Sequence, residues 1–215
     1  MKRLWYRALL RRIYEERFEI YGQTPKGSFW INNNRQVARF EVIFSQVEKF
    51  FKGEYSVADI GCGYGAMADY LLLNQALDSK LYFGYDICGK LVRFCNSRFS
   101  DLGLEFRVGE HPKESVDISV MSGTYNLAAT NNVRYWEAHV EDCLKKVWEK
   151  TQTAMVFNLQ ASSVDKSFIS RNRIYYASPT DVHSRLTDLF GPIKIIREGR
   201  LPCDITVVVN RECQI

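Results

Sequence analysis

The stretch Asp59-Ile60-Gly61-Cys62-Gly63-Tyr64-Gly65 decides the fold of this chain. A short β-rich run from Tyr55 to Ile60 leads into it, and a helical stretch from Ala66 to Leu77 follows it. Glycines at alternate positions tolerate positive φ and carry no side chain, so the backbone of such a turn can approach a ligand closely. The order of strand, glycine turn and helix predicts a ligand site at the carboxyl end of the first strand.

Strand-like and helix-like runs alternate through the rest of the chain. The β-rich runs lie at 81–86, 105–108, 117–121 and 154–158, and the helical runs lie at 89–102 and 136–150. After a helix that begins at the cap sequence Ser178-Pro179 and runs to Leu189, β-branched runs at 193–197 and 205–210 are close enough to pair antiparallel. We expect an α/β fold with a mostly parallel seven-stranded sheet, a C-terminal antiparallel hairpin and helices on both faces.

The N-terminal region has a different pattern. Apolar residues between Leu4 and Tyr21 recur at helical spacing with arginines and glutamates between them, which predicts an amphipathic helix with a solvated charged face. Turn-forming residues at 22–28 separate it from a second helical stretch at 34–51. We expect one domain over residues 1–215, in which 1–52 form a helical cap and 53–215 form the core.

Composition excludes several classes of protein. The chain has 215 residues, 46% of them hydrophobic, and a formal net charge of +4 that does not by itself require a polyanionic partner. Its six cysteines include no C-x-x-C pair, which predicts neither a zinc site nor a disulfide framework. No apolar run approaches the roughly 20 residues of a membrane span. We therefore expect a cytoplasmic protein without a metal.

The glycine turn does not by itself identify the cofactor. The sequence Gly61-Cys62-Gly63-Tyr64-Gly65-Ala66 also satisfies the dinucleotide fingerprint G-x-G-x-x-G/A. Asp86, at the end of the next strand, could bind the ribose hydroxyls of either cofactor class. Asp59, however, would lie unfavourably close to the pyrophosphate of a dinucleotide. An NAD-dependent oxidoreductase is therefore the least favoured alternative.

Asp59 to Gly65 matches residue for residue the pattern acid-x-Gly-x-Gly-x-Gly, and the chain here resembles the class I methyltransferases that use S-adenosylmethionine (SAM). The resemblance extends over roughly 56–210 and includes Asp86, the fourth strand at 116–123 and the terminal hairpin. It implies a Rossmann-like methyltransferase fold, with SAM as cofactor and S-adenosylhomocysteine (SAH) as product.

The resemblance also implies roles for individual residues. Asp59 would hold the methionine end of SAM, Asp86 the ribose hydroxyls and Ile87 the adenine ring, with Glu110 in the position for the adenine amine. Arg39 would pair with the carboxylate of SAM. The remaining cofactor-binding candidates are Gly61, Cys62, Gly63, Gly65 and Ser122.

Candidate catalytic residues follow the fourth strand. In this family the segment Ser122 to Asn126 often contacts the substrate, so Tyr125 and Asn126 are expected to orient the acceptor. Of the three histidines, His111 follows a strand end and is the best candidate for a base. Basic and aromatic residues within 165–176, beyond the fifth strand, are compatible with a lid over an anionic acceptor, with a surface that stacks nucleobases or with a solvated loop, so the charge of the acceptor is left open.

We therefore predict a SAM-dependent methyltransferase that acts at oxygen or nitrogen of a small-molecule or sugar-like acceptor. RNA is the main competing substrate, suggested by the arginine-rich first helix, although the Asn/Asp-Pro-Pro-aromatic signature of amino-methylating DNA enzymes is absent. A non-catalytic SAM-binding protein is the other alternative, because a complete binding loop does not prove transfer. The oligomeric state is left open.

Overall fold

Helices and strands alternate through the computed structural model, which describes residues 2–28, 33–51, 53–74 and 81–211. The helices are α1 (Lys2–Tyr21), α2 (Asn33–Val47), α3 (Ala66–Leu73), α4 (Gly89–Arg98), α5 (Val133–Glu149) and α6 (Pro179–Phe190). The strands are β1 (Val57–Ile60), β2 (Tyr82–Asp86), β3 (Glu105–Val108), β4 (Val116–Met121), β5 (Thr151–Ala161), β6 (Phe168–Ile169), β7 (Tyr175–Ala177), β8 (Ile193–Ile196) and β9 (Asp204–Asn210).

Seven strands form the predicted sheet. The parallel strands have the order β3-β2-β1-β4-β5, and β9 extends the sheet by pairing antiparallel with β5 and with β8. Asp59 of β1 is in register with Gly84 of β2 and Val120 of β4, so the carboxyl ends of these strands meet at one edge. The mostly parallel seven-stranded sheet with its C-terminal antiparallel hairpin is confirmed.

Two additional strands, β6 and β7, were not predicted. They form a short antiparallel hairpin, and β7 also pairs parallel with the end of β5. Phe168 and Tyr176 stack across this hairpin with ring centroids 4.8 Å apart. Much of the segment 165–176, interpreted from sequence as a lid, is therefore attached to the sheet edge. Strands of two and three residues are too short to produce a readable alternation.

The two faces of the sheet bury different helices. Along β5, Met155 and Phe157 face one side, while Ala154 and Val156 face the other, as expected for side chains that alternate across a strand. The first face packs against α1, α5 and α6, which contribute Tyr6, Leu10, Trp136, Leu144 and Leu186. The second face packs against α2, α3 and α4, which contribute Phe40, Ile43, Phe44, Met67, Leu71 and Val92.

Helix ends follow local capping. The Ser178 side chain accepts a hydrogen bond from the Asp181 amide at 3.2 Å, and α6 begins at Pro179 as predicted. Helix α5 begins at Val133, three residues before the predicted start, because Asn132 caps it by accepting from the Tyr135 amide. The last residues of the helix predicted at 66–77 lie outside the described residues. In the described ranges no helix is both long and apolar enough to cross a bilayer.

A buried ion pair joins α2 to the start of β9. The Arg39 guanidinium donates from Nε and Nη2 to the two carboxylate oxygens of Asp204, at 2.8 Å and 2.6 Å. Both residues are more than nine-tenths buried. Arg35 of α2 also reaches Asp204, with Nη2 3.4 Å from Oδ1. This contact holds the N-terminal region against the far end of the sheet.

We expect Asp204→Ala to destabilise the protein strongly, because it leaves the Arg39 guanidinium buried without this partner. Removing one member of a buried pair costs about 3–5 kcal/mol. The matched control is Arg200→Ala, which breaks the contact of Arg200 with Glu41, where the arginine side chain is 60% exposed. Exposed pairs contribute about 0–1 kcal/mol. Denaturant titration measures both free energies of unfolding, and equal losses would contradict this account.

Candidate functional site

The glycine turn after β1 is held against the end of β2. The amides of Gly61 and Cys62 both donate to the carbonyl oxygen of Tyr85, at 2.7 Å and 3.1 Å. Gly61 has φ 77° and Gly65 has φ 86°, a region that side chains rarely adopt. A Cβ at Gly61 would lie 2.8 Å from the Thr124 side chain, and one at Gly65 would lie 2.5 Å from Phe99. Glycine is therefore required at both positions by conformation and by packing.

A central cavity lies at the carboxyl ends of β1, β2 and β4. Its wall includes the glycine turn, the ends of the neighbouring strands and one face each of α1, α2 and α5. Its lining includes Arg7, Leu10, Tyr14, Arg35, Gln36, Arg39, Asp59, Gly61, Cys62, Gly63, Asp86, Ile87, Glu110, Ser122, Tyr125, Asn126, Trp136, His139, Cys143 and Gln160. The structure thus brings most of the predicted site residues to one cavity.

Asp59 is a buried carboxyl at the end of β1. Its Oδ2 accepts a hydrogen bond from the Tyr82 hydroxyl at 2.7 Å. Burial raises the pKa of Asp59 to about 7; the Tyr82 hydrogen bond opposes this increase and the nearby Asp86 carboxyl adds to it. Sequence reasoning missed Tyr82, whose position at the buried start of β2 carries no motif.

Asp86 lies at the end of β2 and binds the glycine turn. Its Oδ2 accepts from the Gly63 amide at 3.0 Å, and its Oδ1 accepts from the Cys88 amide at 2.7 Å. Burial raises the pKa of Asp86 to about 6, although both amide hydrogen bonds oppose the increase. A carboxylate oxygen has two lone pairs, so each oxygen can accept one further hydrogen bond from the cavity side.

The segment after β4 is tied down by its neighbours. The Gly123 amide donates to Asn158 Oδ1 at 2.7 Å, and the Thr124 hydroxyl donates to the Ile60 carbonyl at 2.7 Å. Ser122 Oγ and the Tyr125 hydroxyl are buried and have no hydrogen-bond partner within the described residues. Burial raises the pKa of Tyr125 well above its usual value, and Cys143 and Glu110 add to the effect. These two hydroxyls are therefore available to form hydrogen bonds with a polar ligand.

The wall beyond Asp86 contains Ile87 and Glu110. Glu110 Oε1 accepts from the Lys146 ammonium at 3.1 Å. Burial raises the pKa of Glu110, but the hydrogen bond and charge of Lys146, together with Arg7 and His139, outweigh it and leave the pKa lowered. The lowered pKa favours the ionised form of Glu110, which can also accept a hydrogen bond from a ligand in the cavity.

His111 is not brought to the cavity. It is not among the residues that line the cavity, and its Nδ1 lies 3.0 Å from the Pro112 carbonyl oxygen. His139 lines the cavity instead, between Trp136 and Cys143 on α5. The spacing of these three residues, i, i+3 and i+7, marks one helix face and could have identified His139 from sequence. The sequence analysis preferred His111 among the three histidines, whereas His139 is the one that lines the cavity.

Two helix faces of the N-terminal region also contribute. Arg7, Leu10 and Tyr14 share one face of α1 and line the cavity, so at least one arginine of the charged face that was expected to be solvated lies at the site. Arg39 lines the cavity as expected, but its guanidinium already pairs with Asp204. If Arg39 also binds the carboxylate of SAM, it must do so while it is paired with Asp204.

No protein-family model matches the chain. A protein of Mycobacterium tuberculosis (strain ATCC 25618 / H37Rv), named "Putative methyltransferase Rv1506c", is 33% identical over 127 residues, which are 58% of this chain and 74% of that protein.

Two crystal structures have a similar fold. A magnesium protoporphyrin IX methyltransferase from Synechocystis PCC 6803 with bound SAM has a TM-score of 0.65 and 16% identity, over 96% of this chain and 97% of that one. A SAM-dependent methyltransferase from Clostridium acetobutylicum ATCC 824 has a TM-score of 0.58 and 12% identity, over 92% and 98%. With the sequence relative, the Asp59–Gly65 motif and the sheet order, these likenesses show that the chain belongs to the class I SAM-dependent methyltransferases.

Proposed function

We propose that the chain transfers the methyl group of SAM to a small-molecule or sugar-like acceptor, at oxygen or nitrogen. The observation that supports this most strongly is a cavity lined by two buried carboxyls, Asp59 and Asp86, and by Ser122 and Tyr125, whose hydroxyls have no hydrogen-bond partner among the described residues. Buried polar groups normally find partners, so these groups favour a polar ligand.

The lining residues fit SAM by their chemistry. Asp86 would accept the ribose hydroxyls with the lone pairs that Gly63 and Cys88 leave unused. Asp59 would hold the methionine end, directly or through water. Ile87 would pack on the adenine ring and Glu110 would accept from its amine. The backbone of Gly61, Cys62 and Gly63, with Ser122, would complete the cradle. Gly65 shapes the turn but is not among the residues that line the cavity.

When bound, SAM supplies an electrophilic methyl group on a sulfonium, which leaves by an in-line displacement. The protein then has to hold the acceptor in line and exclude water. Tyr125 and Asn126 are our candidates for orienting the acceptor, because both are buried and line the cavity. A neutral hydroxyl acceptor also needs a base, for which the position of His139 is better suited than that of His111.

RNA is the second candidate acceptor, because a basic groove adjoins the cavity between α1 and α4. It contains Arg7, Arg11, Lys90 and Arg93, and it shares Arg7 with the cavity. Such a groove complements a phosphate backbone. However, Lys90 pairs with Glu19, and Arg11 lies 3.9 Å from Glu15, which reduces the positive charge. The small-molecule acceptor is therefore preferred.

A transfer experiment distinguishes the two acceptor classes. We expect that protein incubated with methyl-tritiated SAM, a small-molecule cell extract and total RNA will label the small-molecule fraction. Label in the RNA fraction alone would contradict the preferred acceptor. Absence of label in both fractions, with SAH binding retained, would favour a SAM-binding protein without turnover. Asp101→Ala, at an exposed residue, is a control that should label as the wild type does.

We further expect SAH affinity to fall as the pH decreases. Protonated Asp86 can no longer accept from both ribose hydroxyls, and its pKa is about 6. If only the ionised form of Asp86 binds, this carboxyl alone should raise the Kd about tenfold between pH 8 and pH 5. Asp59, with a pKa of about 7, acts in the same direction. Calorimetric titration across this range measures the effect.

Asp86→Ala is the control variant for the pH experiment. It should weaken SAH binding and flatten the pH dependence, leaving only the part that Asp59 supplies. Stability of the unliganded protein has the opposite sign: both raised pKa values stabilise the folded state below about pH 4, and this contribution is lost as pH rises through 6 and 7. Affinity that does not depend on pH in the wild type would contradict the assignment of both carboxyls.

A further inference from the structure

The Asn126 side chain has a fixed orientation. Its Oδ1 accepts a hydrogen bond from the backbone amide of Gln160 at 3.0 Å. A backbone N–H can only donate, so the side-chain oxygen must face Gln160 and the Nδ2 amide must face away from it. Asn126 is 7% exposed and lines the cavity. Within the described part of the chain, Nδ2 has no hydrogen-bond partner, so Asn126 offers the cavity donors and no acceptor.

The backbone around Asn126 is equally constrained. Its amide donates to the Gly123 carbonyl at 3.2 Å, and its carbonyl accepts from the Tyr175 amide at 2.8 Å. The side chain therefore projects from a segment anchored to both β4 and β7. A donor held this firmly loses little entropy when it binds a ligand.

Gln160, which orients Asn126, lies next to an ion pair that contains two arginines. Gln160 stands opposite Asp204 in the β5–β9 ladder, and Asp204 binds both Arg39 and Arg35. Two guanidinium groups thus share one carboxylate directly beside the residue that orients Asn126. Arg35, Arg39, Gln160 and Asn126 all line the cavity. This end of the cavity is lined by hydrogen-bond donors, and two of the side chains that carry them are guanidinium groups.

The carboxyls assigned to the cofactor lie at the other end. Asp86 ends β2, whereas Gln160 lies near the end of β5, three strands away in the order β2-β1-β4-β5. Adjacent strands are about 4.8 Å apart, so the two ends of the cavity are separated by roughly 14 Å. The positive sulfonium would add to the charge between them. An anionic group is therefore favoured at the Asn126 end.

We propose that Asn126 and Arg35 form a subsite for a carboxylate of the methyl acceptor, and that the acceptor is a carboxylic acid. This inference rests on the proposed function, because it assigns the other end of the cavity to SAM. Asn126 acts as a specificity-determining residue that donates to an oxygen without a hydrogen. An amine or ammonium group would present donors to donors at this position and would be disfavoured.

The test uses the wild-type chain saturated with SAH and three probes of one skeleton, benzoate, benzyl alcohol and benzylamine. We expect benzoate to bind most tightly and to shift the side-chain amide resonance of Asn126. Asn126→Asp keeps an oxygen for the Gln160 amide but presents a negative charge to the cavity. It should weaken benzoate about tenfold or more while changing SAH affinity less than about twofold. Asn132→Asp, which retains the cap of α5, is the matched control and should change neither.

Three results would overturn the carboxylate subsite. These are absent benzoate binding to the SAH complex, benzoate binding that Asn126→Asp leaves unchanged, and an SAH affinity that falls as much as the benzoate affinity. The last result would assign Asn126 to the carboxylate of the cofactor. If the wild-type chain does not bind SAH at all, the proposed function fails, and that failure is seen before any probe is added.

Discussion

The hydrogen bonds between the glycine turn and β2 are the constraint on which the site depends. Gly61 and Cys62 donate to the Tyr85 carbonyl, and Gly63 donates to the Asp86 carboxylate. These contacts fix the first turn against the second strand and place Asp59 and Asp86 on the same cavity. Only glycine permits this arrangement, because the φ angles are positive and a Cβ at Gly61 or Gly65 would collide with Thr124 or Phe99. The backbone geometry that forms the turn therefore also positions the two carboxyls.

The cavity is electrostatically divided by the order of the strands. Carboxyls with raised pKa values lie at the ends of β1 and β2. Guanidinium groups and a side-chain amide that only donates lie beside the end of β5 and the start of β9. Burial strengthens the electrostatic effect of both groups, since charges interact more strongly away from water. Helices α1, α2 and α5 close the cavity over this division.

Local sequence predicted the features that depend on local sequence. The sequence predicted the turn at Asp59–Gly65, the seven main strands and the cap at Ser178. These features depend on glycine spacing, on runs of strand-forming residues and on capping chemistry, all of which act over a few residues. The pairing of Arg39 with Asp204, which are 165 positions apart, could not be predicted from the sequence. Nor was the hydrogen bond of Tyr82 to Asp59, because contacts of that kind are created by strand order.

One calorimetric measurement tests the central claim most directly: titration of the purified chain with SAH, with NADH as a parallel ligand. The account predicts that SAH binds with micromolar affinity or better, since its ribose and methionine groups would satisfy several buried polar groups, and that NADH does not bind. Binding of NADH without SAH would contradict the assignment of this cavity to SAM.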